Sequence, residues 1–318
     1  MFSKILNKII DKMSLLAVGM LVFTLASNWF SSSSYIPKGA YWKMNFFKPV
    51  IDSLLVEKAD SAFINMLLSD PETHFDEKCV RINVIGYLQK PNYSKQTTLR
   101  AAINAYEFIS KYKELFRRTD SIFGVSKEYI AAIISIETKF GKNTGDYKLP
   151  TVFFSAAMAS QINFIQKNKF ELKRIFKGDE YEFDSLLKKI DERSLKKSKW
   201  ALKEILALQK MYKERNLDIL ALKGSWAGAF GLPQFLPSSY MNWAVDGNGD
   251  GEIDLFDVND AVPSVGNYLK NNGWGYKLSE KRSAIFNYNN SHDYVDAVLR
   301  LASKIRNLDS AKVGDDSD

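Results

Sequence analysis

The chain contains almost no cysteine or histidine. Of its 318 residues one is cysteine, Cys79, and two are histidine, His74 and His292. An intramolecular disulfide is therefore excluded, and with it any fold that depends on a disulfide framework. Two histidines far apart in sequence also disfavour a cysteine–histidine nucleophile and a histidine-rich zinc site. We predict that Cys79 is a small buried hydrophobic residue.

Signals of nucleic-acid binding are also missing. The sequence has no zinc-knuckle spacing, no RNP-like aromatic motif and no basic recognition helix. The net charge of +7 and the pI of about 9.1 nevertheless favour an anionic partner, such as anionic lipid or an acidic wall polymer. Hydrophobic residues make up 46% of the chain, which is enough for one large domain or two to three smaller lobes.

The first 30 residues combine basic and apolar character. Lys4, Lys8 and Lys12 precede an apolar run from about residue 15 to 25, which is short for a membrane-spanning helix of roughly 20 residues. We predict that residues 1–30 are a signal peptide or an N-terminal membrane anchor, so that the remainder is exported. No cysteine closely follows the run, which excludes lipoprotein processing. Residues 31–40 are predicted to be a linker, and residues 309–318 a disordered polar tail.

Hydrophobic periodicity predicts a mainly helical chain. Helical patterns cover residues 97–119, 126–141, 166–215, 261–272 and 292–306. The segment 166–215 is rich in charge and is predicted to form two or more helices with solvated outer faces.

The helix predicted between Ser126 and Gly141 carries a carboxylate on its apolar face. Glu137 shares that face with isoleucines such as Ile134, whereas Glu128 is assigned to another face. Burial disfavours a charged carboxylate, so we expect the pKa of Glu137 to be raised. Such a group can donate a proton to a glycosidic oxygen. The alternative is a buried structural glutamate paired with a lysine or arginine.

Two further segments carry polar residues beside glycine or aromatic residues. Residues 224–239 are dense in glycine, proline and serine, and must form a loop and helix ends. Within them, Ser225 and Gln234 can bond to sugar hydroxyls or to an acetamido group. Tyr288 and Asn289 lead into the last helix, for which Ser291 is a possible N-cap.

The segment 246–257 matches the start of a calcium-binding EF-hand loop. Asp246, Asn248 and Asp250 supply oxygen ligands at loop positions 1, 3 and 5, and a glycine follows at position 6. Glu252 would contribute its backbone carbonyl. Position 12 is Asp257, which is shorter than the usual glutamate. The alternative is a turn rich in aspartate and asparagine that binds no metal.

These motifs together resemble the lytic murein transglycosylase B family, also classified as glycoside hydrolase family 103, with an SLT-type lysozyme-like domain. The resemblance runs from about residue 41 to 305. Its blocks are Ile134-Ser135-Ile136-Glu137-Thr138-Lys139-Phe140-Gly141, Leu220-Ala221-Leu222-Lys223-Gly224-Ser225-Trp226-Ala227-Gly228-Ala229, Pro233-Gln234-Phe235-Leu236-Pro237-Ser238-Ser239, the Asp246 loop, Ser264-Val265-Gly266-Asn267-Tyr268 and Gly273-Trp274.

The resemblance implies a mainly α fold: a lysozyme-like α+β core, an additional helical lobe and a small β-lobe at residues 245–260 that carries the EF-hand-like loop. Residues 41–308 would form the catalytic region. Glu137 would act as acid and then as base on the MurNAc-β-1,4-GlcNAc bond of peptidoglycan, giving 1,6-anhydroMurNAc ends. The substrate-binding positions implied by the family are Ser225, Gln234, Tyr268, Tyr288 and Asn289.

The resemblance also implies a structural calcium ion whose closing carboxylate is Asp260 rather than Asp257. No organic cofactor and no nucleic-acid partner are expected. We expect a monomer in the periplasm or cell envelope that binds glycan strands, with possible membrane association through the N-terminal segment.

The sequence departs from the family between the catalytic glutamate and the glycine-rich block. A pair of arginines usual about 25 residues after that glutamate is replaced by Gln161-Ile162-Asn163. The loss of this pair motivates one alternative, a catalytically impaired peptidoglycan-binding scaffold. A second alternative is a hydrolytic lysozyme-like muramidase, which a second carboxylate near Glu137 would support. The intact Glu137, Ser225 and Gln234 argue against the scaffold.

Overall fold

The computed structural model describes residues 38–88 and 91–315, and this part of the chain is mainly helical, as predicted. Two strands of two residues each, β1 (Tyr147–Lys148) and β2 (Lys223–Gly224), pair antiparallel with Tyr147 opposite Gly224. The helices are α1 (Lys38–Phe46), α2 (Lys48–Val56), α3 (Ser61–Ser69), α4 (Glu77–Ile85), α5 (Leu99–Lys111), α6 (Lys113–Phe123), α7 (Lys127–Thr138), α8 (Leu149–Ala157), α9 (Ile162–Ile175), α10 (Glu180–Arg215), α11 (Pro237–Trp243), α12 (Val258–Asn271), α13 (Leu278–Tyr288) and α14 (His292–Asp315), with short 3₁₀ turns at Gly86–Leu88, Ser94–Thr97 and Met158–Ser160.

Two predictions about the chain ends need correction. Helix α1 begins at Lys38, inside the segment 31–40 that was predicted to be a linker. Helix α14 continues to residue 315, whereas a disordered tail was predicted from Asp309, and Asp309 itself pairs with Lys127 at 2.7 Å. The predicted signal peptide or anchor lies outside the described residues. Within the described part of the chain, no helix has the length and apolar character needed to cross a bilayer.

Two hydrophobic cores organise the structure. The first gathers buried side chains from α2–α4 and α8–α11, and the second gathers those from α5–α7 and α12–α14. A short segment at residues 230–235 joins them, because Phe230 and Phe235 are buried in the first core and Leu232 in the second. Tyr268 and Tyr288 pack against both cores. These two predicted site residues therefore lie at the junction.

The charged segment 166–215 forms two helices, α9 and α10, as predicted. Helix α10 has 36 residues, so it is about 54 Å long. Its buried face, which includes Ile190, Ala201 and Leu208, packs on the first core. The buried carboxylate of Glu204 accepts hydrogen bonds from the backbone N and the hydroxyl of Ser238, at 2.9 and 2.8 Å, and so fixes the start of α11.

Candidate active site

Helix α7 carries Glu137 and is buried on almost every side. Residues 128–135 are all buried because α5, α12 and α14 pack around the helix. Burial extends beyond the apolar stripe that carries Glu137, because Glu128, which was assigned to another face, is 7% exposed. The two carboxylates are nine positions apart, which is about 13 Å along the helix axis.

The end of α7 differs from the predicted end at Gly141. The helix stops at Thr138, and Lys139, Phe140 and Gly141 follow with φ angles of 52°, 61° and 84°. A left-handed conformation costs a residue with a Cβ roughly 1–2 kcal/mol, so surrounding contacts must maintain it. Thr138 supplies such contacts: its hydroxyl donates to the Leu232 carbonyl at 2.9 Å and accepts from the Gly141 N–H at 3.1 Å. The end of α7 is thus tied to the segment that joins the two cores.

The carboxyl group of Glu137 is half-buried and bonded to a tyrosine of the last helix. The hydroxyl of Tyr294 donates to Oε1 at 2.6 Å. Burial raises the pKa of Glu137 from 4.5 to about 7, and the hydrogen bond from Tyr294 opposes part of this rise because it stabilises the charged form. The upward shift of the Glu137 pKa agrees with the prediction from sequence. At neutral pH both protonation states are populated, as a group that first donates and later accepts a proton requires.

A second carboxylate does not act on Glu137 within the described part of the chain. Burial and Tyr294 are the two causes of its shifted pKa. A hydrolytic muramidase with paired carboxylates would need an acidic partner at this place. Among the described residues, the hydrogen-bond partner of the Glu137 carboxyl is Tyr294, and no acidic group is among the causes of its pKa shift.

A row of aromatic rings leads away from Glu137. Tyr93 meets Tyr294 edge to face at 5.8 Å between centroids, and Tyr294 lies parallel to Tyr288 at 6.4 Å. Tyr288 meets Tyr268 at 4.8 Å, and Tyr268 meets Trp243 at 6.1 Å. Aromatic rings with a few fixed polar groups are typical of ligand sites. Tyr294 is fully buried, whereas Tyr288, Tyr268 and Trp243 are partly exposed and can meet sugar rings.

The hydroxyls of the two central tyrosines are held by the main chain. Tyr268 donates to the carbonyl of Asn287 at 2.7 Å, and Tyr288 donates to the carbonyl of Pro233. Burial raises the pKa of both hydroxyls above 10, well above for Tyr288. Both therefore stay protonated and present their rings rather than a free hydroxyl. The bond to Pro233 also brings Tyr288 beside Gln234, the next residue in the chain.

Gln234 and its neighbours are held in a strained turn. The backbone of Gln234 has φ of 53°, and its side-chain Nε2 donates to the carbonyls of Thr144 and Gly231 at 3.1 and 3.0 Å. Nε2 therefore donates its hydrogen bonds to carbonyls of the protein itself. Its Oε1 accepts no hydrogen bond from the described residues, so it can accept one from a ligand hydroxyl or N–H.

Ser225 opens a tight turn that ends at Ala229. Its N–H donates to the Ala229 carbonyl at 2.8 Å, and its hydroxyl oxygen accepts the Ala229 N–H at 3.3 Å. Gly228 within the turn has φ of 78°, and a Cβ there would lie 2.2 Å from the Phe153 ring. The turn therefore requires glycine. The hydroxyl hydrogen of Ser225 makes no bond to the described residues and can be donated to a ligand.

Asn289 ends α13 and begins the turn into α14. Its N–H donates to the Ile285 carbonyl at 3.1 Å, and its own carbonyl accepts from the Ser291 N–H at 2.7 Å. Ser291 caps the last helix, as predicted, by accepting the Tyr294 N–H at 3.3 Å. The turn brings Tyr288 and Tyr294 into parallel contact.

The predicted calcium segment is a turn-rich loop without strands. The predicted small β-lobe is not found among the described residues, whose strands lie at 147–148 and 223–224. In the segment 245–260, backbone N–H groups instead donate to aspartate carboxylates. Asp246 accepts from Gly249 at 2.6 Å and from Gly251 at 2.8 Å. The side chain of Asn248 accepts the Asp250 N–H at 3.0 Å, and that of Asp250 accepts the Glu252 N–H at 2.9 Å. The side chain of Glu252 is exposed.

Asp260 closes this loop, whereas Asp257 does not. Asp260 is 2% exposed and accepts the N–H groups of Gly247 at 2.8 Å and Asp254 at 2.7 Å. Asp257 instead caps α12 through the N–H of Asn259. Burial raises the pKa of Asp260, and the charges of Asp246 and Asp257 add to the rise.

The donor set of the loop fits a hard cation. Three acidic side chains repel one another there, and no basic side chain contributes to the pKa of Asp260. Ca²⁺ prefers oxygen ligands that together carry a net negative charge. Within the described residues, however, no three His, Cys, Asp or Glu side chains already stand close enough to hold a metal. The carboxylates would therefore have to turn from backbone N–H groups towards the ion.

Two residues of the site were not predicted from sequence. Tyr294 extends the buried stripe of Val298, Leu301 and Ile305 by one turn, so its burial was foreseeable. Its hydrogen bond to the carboxyl of Glu137, 157 positions earlier in the chain, was not foreseeable. Tyr93 lies near a 3₁₀ turn without periodicity, and no local signal marks it.

Comparison with known proteins places the chain in a family. The family described as "Transglycosylase SLT domain" matches residues 88–282, which is more than half of the chain. The chain therefore belongs to the transglycosylase SLT-domain family. It is 33% identical over 171 residues to the membrane-bound lytic murein transglycosylase B of Escherichia coli K12, a match that covers 54% of this chain and 38% of that relative.

Solved structures agree on the lysozyme-like fold of that family. An Escherichia coli lytic transglycosylase in complex with calcium superposes with a TM-score of 0.61 at 22% identity, over 82% of this chain and 92% of that one. A soluble lytic transglycosylase of Pseudomonas aeruginosa gives 0.59 at 21% identity, over 86% and 100%. Another from Pseudomonas aeruginosa, in complex with NAG-NAM-pentapeptide, gives 0.60 at 17% identity, over 85% and 80%.

Proposed function

We propose that the chain is a peptidoglycan lytic transglycosylase that cleaves the MurNAc-β-1,4-GlcNAc bond and leaves 1,6-anhydroMurNAc ends. The observation that carries the proposal is the lone carboxyl of Glu137, which has a pKa of about 7 and is held by Tyr294. Membership of the SLT-domain family supports it.

In the first step, protonated Glu137 donates its proton to the glycosidic oxygen as the bond to C1 of MurNAc breaks. The acetamido oxygen of the same sugar stabilises the positive charge at C1, so no enzyme nucleophile is required. In the second step, ionised Glu137 takes the proton of the C6 hydroxyl, whose oxygen then bonds to C1. No water is consumed. Tyr294 holds Oε1 throughout and leaves Oε2 for the substrate.

The remaining site residues would bind the glycan strand. The free Oε1 of Gln234 and the hydroxyl of Ser225 are suited to the acetamido and hydroxyl groups of the sugars. Tyr268 and Tyr288 would pack against sugar rings, and Asn289 fixes the turn that carries Tyr288.

A calcium ion is proposed to stabilise the loop beside this site. Asp246, Asn248, Asp250, the carbonyl of Glu252 and Asp260 would hold it, and its charge would relieve the repulsion among the aspartates. A related Escherichia coli lytic transglycosylase was solved in complex with calcium, which supports the proposal.

The place of action follows from the substrate. We propose that residues 1–30 direct the chain to the periplasm or cell envelope, and that residues 41–308 act there as a monomer, since one chain supplies every site residue named above. The Escherichia coli relative is described as membrane-bound, which supports association through the N-terminal segment.

The test is a digest of purified peptidoglycan, with the released muropeptides identified by mass spectrometry. Three proteins are compared: the wild type, Glu137→Gln and Glu128→Gln, the last being a matched change on the same helix. We expect products with 1,6-anhydroMurNAc, one water lighter than hydrated ends, from the wild type and Glu128→Gln only. Hydrated reducing ends would instead identify a muramidase. Binding to the wall without any product would identify a scaffold.

A further inference from the structure

Three exposed apolar side chains lie at the loop between α12 and α13 and at the end of α6. Tyr276 of the loop is fully exposed, and Leu278, at the start of α13, is 61% exposed. Ile122, in the last turn of α6, is also 61% exposed. We call these three residues the apolar patch. Large apolar side chains left in water mark a surface that gains free energy when a partner covers it.

Hydrogen bonds between the loop and the end of α6 bring the patch together. Nε1 of Trp274 donates to the Gly124 carbonyl at 3.0 Å, and Nζ of Lys270 donates to the Ile122 carbonyl at 3.0 Å. Trp274 is thereby fixed against α6, and Tyr276 follows two residues later with its side chain in solvent. The apolar patch is therefore carried by a loop that is tied to the body of the protein.

The same loop is strongly basic. Residues 270–282 carry four basic side chains and one acidic side chain, a charge of +3. Within the described residues Lys270, Lys277 and Lys281, which we call the basic ring, form no ion pair. The acidic residue, Glu280, accepts the backbone N–H of Lys277 at 2.9 Å and so caps the start of α13. The basic ring is therefore available to an anionic partner.

The combination of apolar tips and lysines favours a lipid bilayer over a glycan strand. Apolar and aromatic side chains flanked by lysines are typical of surfaces that enter the boundary between lipid headgroups and acyl chains. Small ligands such as sugars are instead held in clefts by convergent polar groups. A fully exposed side chain such as that of Tyr276 lines no cleft.

The position of the patch leaves the candidate active site open. Trp274 meets Tyr129, in the first turn of α7, edge to face at 4.8 Å between centroids. Glu137 lies eight residues further along α7, which is about 12 Å along the helix axis. A bilayer in contact with the apolar patch therefore does not have to cover the acid.

We propose that the apolar patch and the basic ring dock the catalytic region on the surface of an anionic lipid bilayer. The apolar side chains would enter the headgroup boundary, and the lysines would meet lipid phosphates. This inference goes beyond the proposed reaction and concerns residues other than the predicted N-terminal anchor. The contact would fix the orientation of the catalytic region on the membrane.

The experiment places an environment-sensitive fluorophore, nitrobenzoxadiazole, on single cysteines introduced into the full chain. Cys79 is fully buried, so the introduced cysteine is the one that takes the label in the folded chain. The test positions are Tyr276→Cys and Ile122→Cys, and the matched control is Val56→Cys. Val56 is 81% exposed, but residues 52–60 around it carry three acidic side chains and one basic side chain.

The probe reports its own surroundings, so its signal is distinct from binding of the chain through the N-terminal segment. With phosphatidylglycerol vesicles we expect brighter, blue-shifted emission at positions 276 and 122, and none at position 56. Phosphatidylcholine vesicles should give a much smaller change. Lys277→Glu should lower the ratio of docked to undocked chain roughly thirtyfold, because it changes the local charge by two.

Two further variants separate charge from folding. Lys277→Gln should have an intermediate effect on the probe at position 276. Lys58→Glu, the same charge reversal beside Val56, should have none. Circular dichroism of each variant checks that the helices remain.

Several results would overturn the docking surface. They are unchanged emission at position 276, an equal change at position 56, or a change at position 276 without one at position 122. A change that needs no vesicles and grows with protein concentration would assign the patch to a second copy of the chain. A change with purified peptidoglycan but not with vesicles would assign it to the glycan. Because no readout requires turnover, a chain that is inactive in the peptidoglycan digest can still dock.

Discussion

Replacing Glu137 by glutamine should stabilise the folded chain at neutral and alkaline pH. The pKa of Glu137 is about 7 in the fold, against an ordinary value of 4.5. Between these values the folded state keeps a proton that the unfolded state has released, so stability falls as pH rises and levels off above about 7. At about 1.4 kcal/mol for each pH unit of difference, the ionised carboxyl costs up to about 3 kcal/mol. Glutamine carries no charge and still offers an oxygen to Tyr294.

The assay is unfolding monitored by circular dichroism at pH 4 and at pH 8. We expect Glu137→Gln to raise the free energy of unfolding by about 2–3 kcal/mol at pH 8 and by less than about 0.5 kcal/mol at pH 4. Glu192→Gln, an exposed change on α10, is the control and should have no effect at either pH. An equal gain at both pH values, or none at pH 8, would refute the argument that burial raises the pKa of Glu137.

Two further predictions concern the hydroxyl beside the acid and the calcium loop. Tyr294→Phe removes the hydrogen bond that stabilises ionised Glu137, so the alkaline limb of the pH–rate profile should move up by about one pH unit. Tyr240→Phe, which removes a buried hydroxyl elsewhere, should leave that limb in place. A downward shift in Tyr294→Phe would contradict this. Calcium should raise the melting temperature of the wild type and of Asp257→Asn, but not that of Asp260→Asn. Equal responses of the two variants to calcium would count against Asp260 as a ligand.

The helices were predictable because most of them bury one face. The stripe of α14 and the start of α7 at Ser126 could both be read from residue spacing. A helix that is buried on every side is different, because its hydrophobic periodicity is lost when all of its side chains are apolar or small. This is why the burial of Glu128 was missed and why only tertiary packing reveals it.

Local rules also failed where distant contacts override them. Gly141 is a good helix terminator by type, yet α7 ends at Thr138. Lys139 already turns left-handed there, and the Thr138 hydroxyl bonds to Leu232, nearly a hundred positions away. Tyr294 was missed for the same reason. Conversely, the turn around Gln234 was predictable from its neighbours in sequence, since turns dense in glycine and proline are local features.

The order in which the chain builds its two cores has a consequence for when the site can exist. Residues 99–138 enter the second core, but their partners in that core are α12–α14, which are synthesised only after the first core has been completed by α8–α11. Tyr294, the residue that holds the carboxyl of Glu137, belongs to the last of these helices. A nascent or C-terminally truncated chain therefore contains the acid without the environment that sets its proton affinity. Competence for catalysis should arrive late, in one step, when the final helix docks.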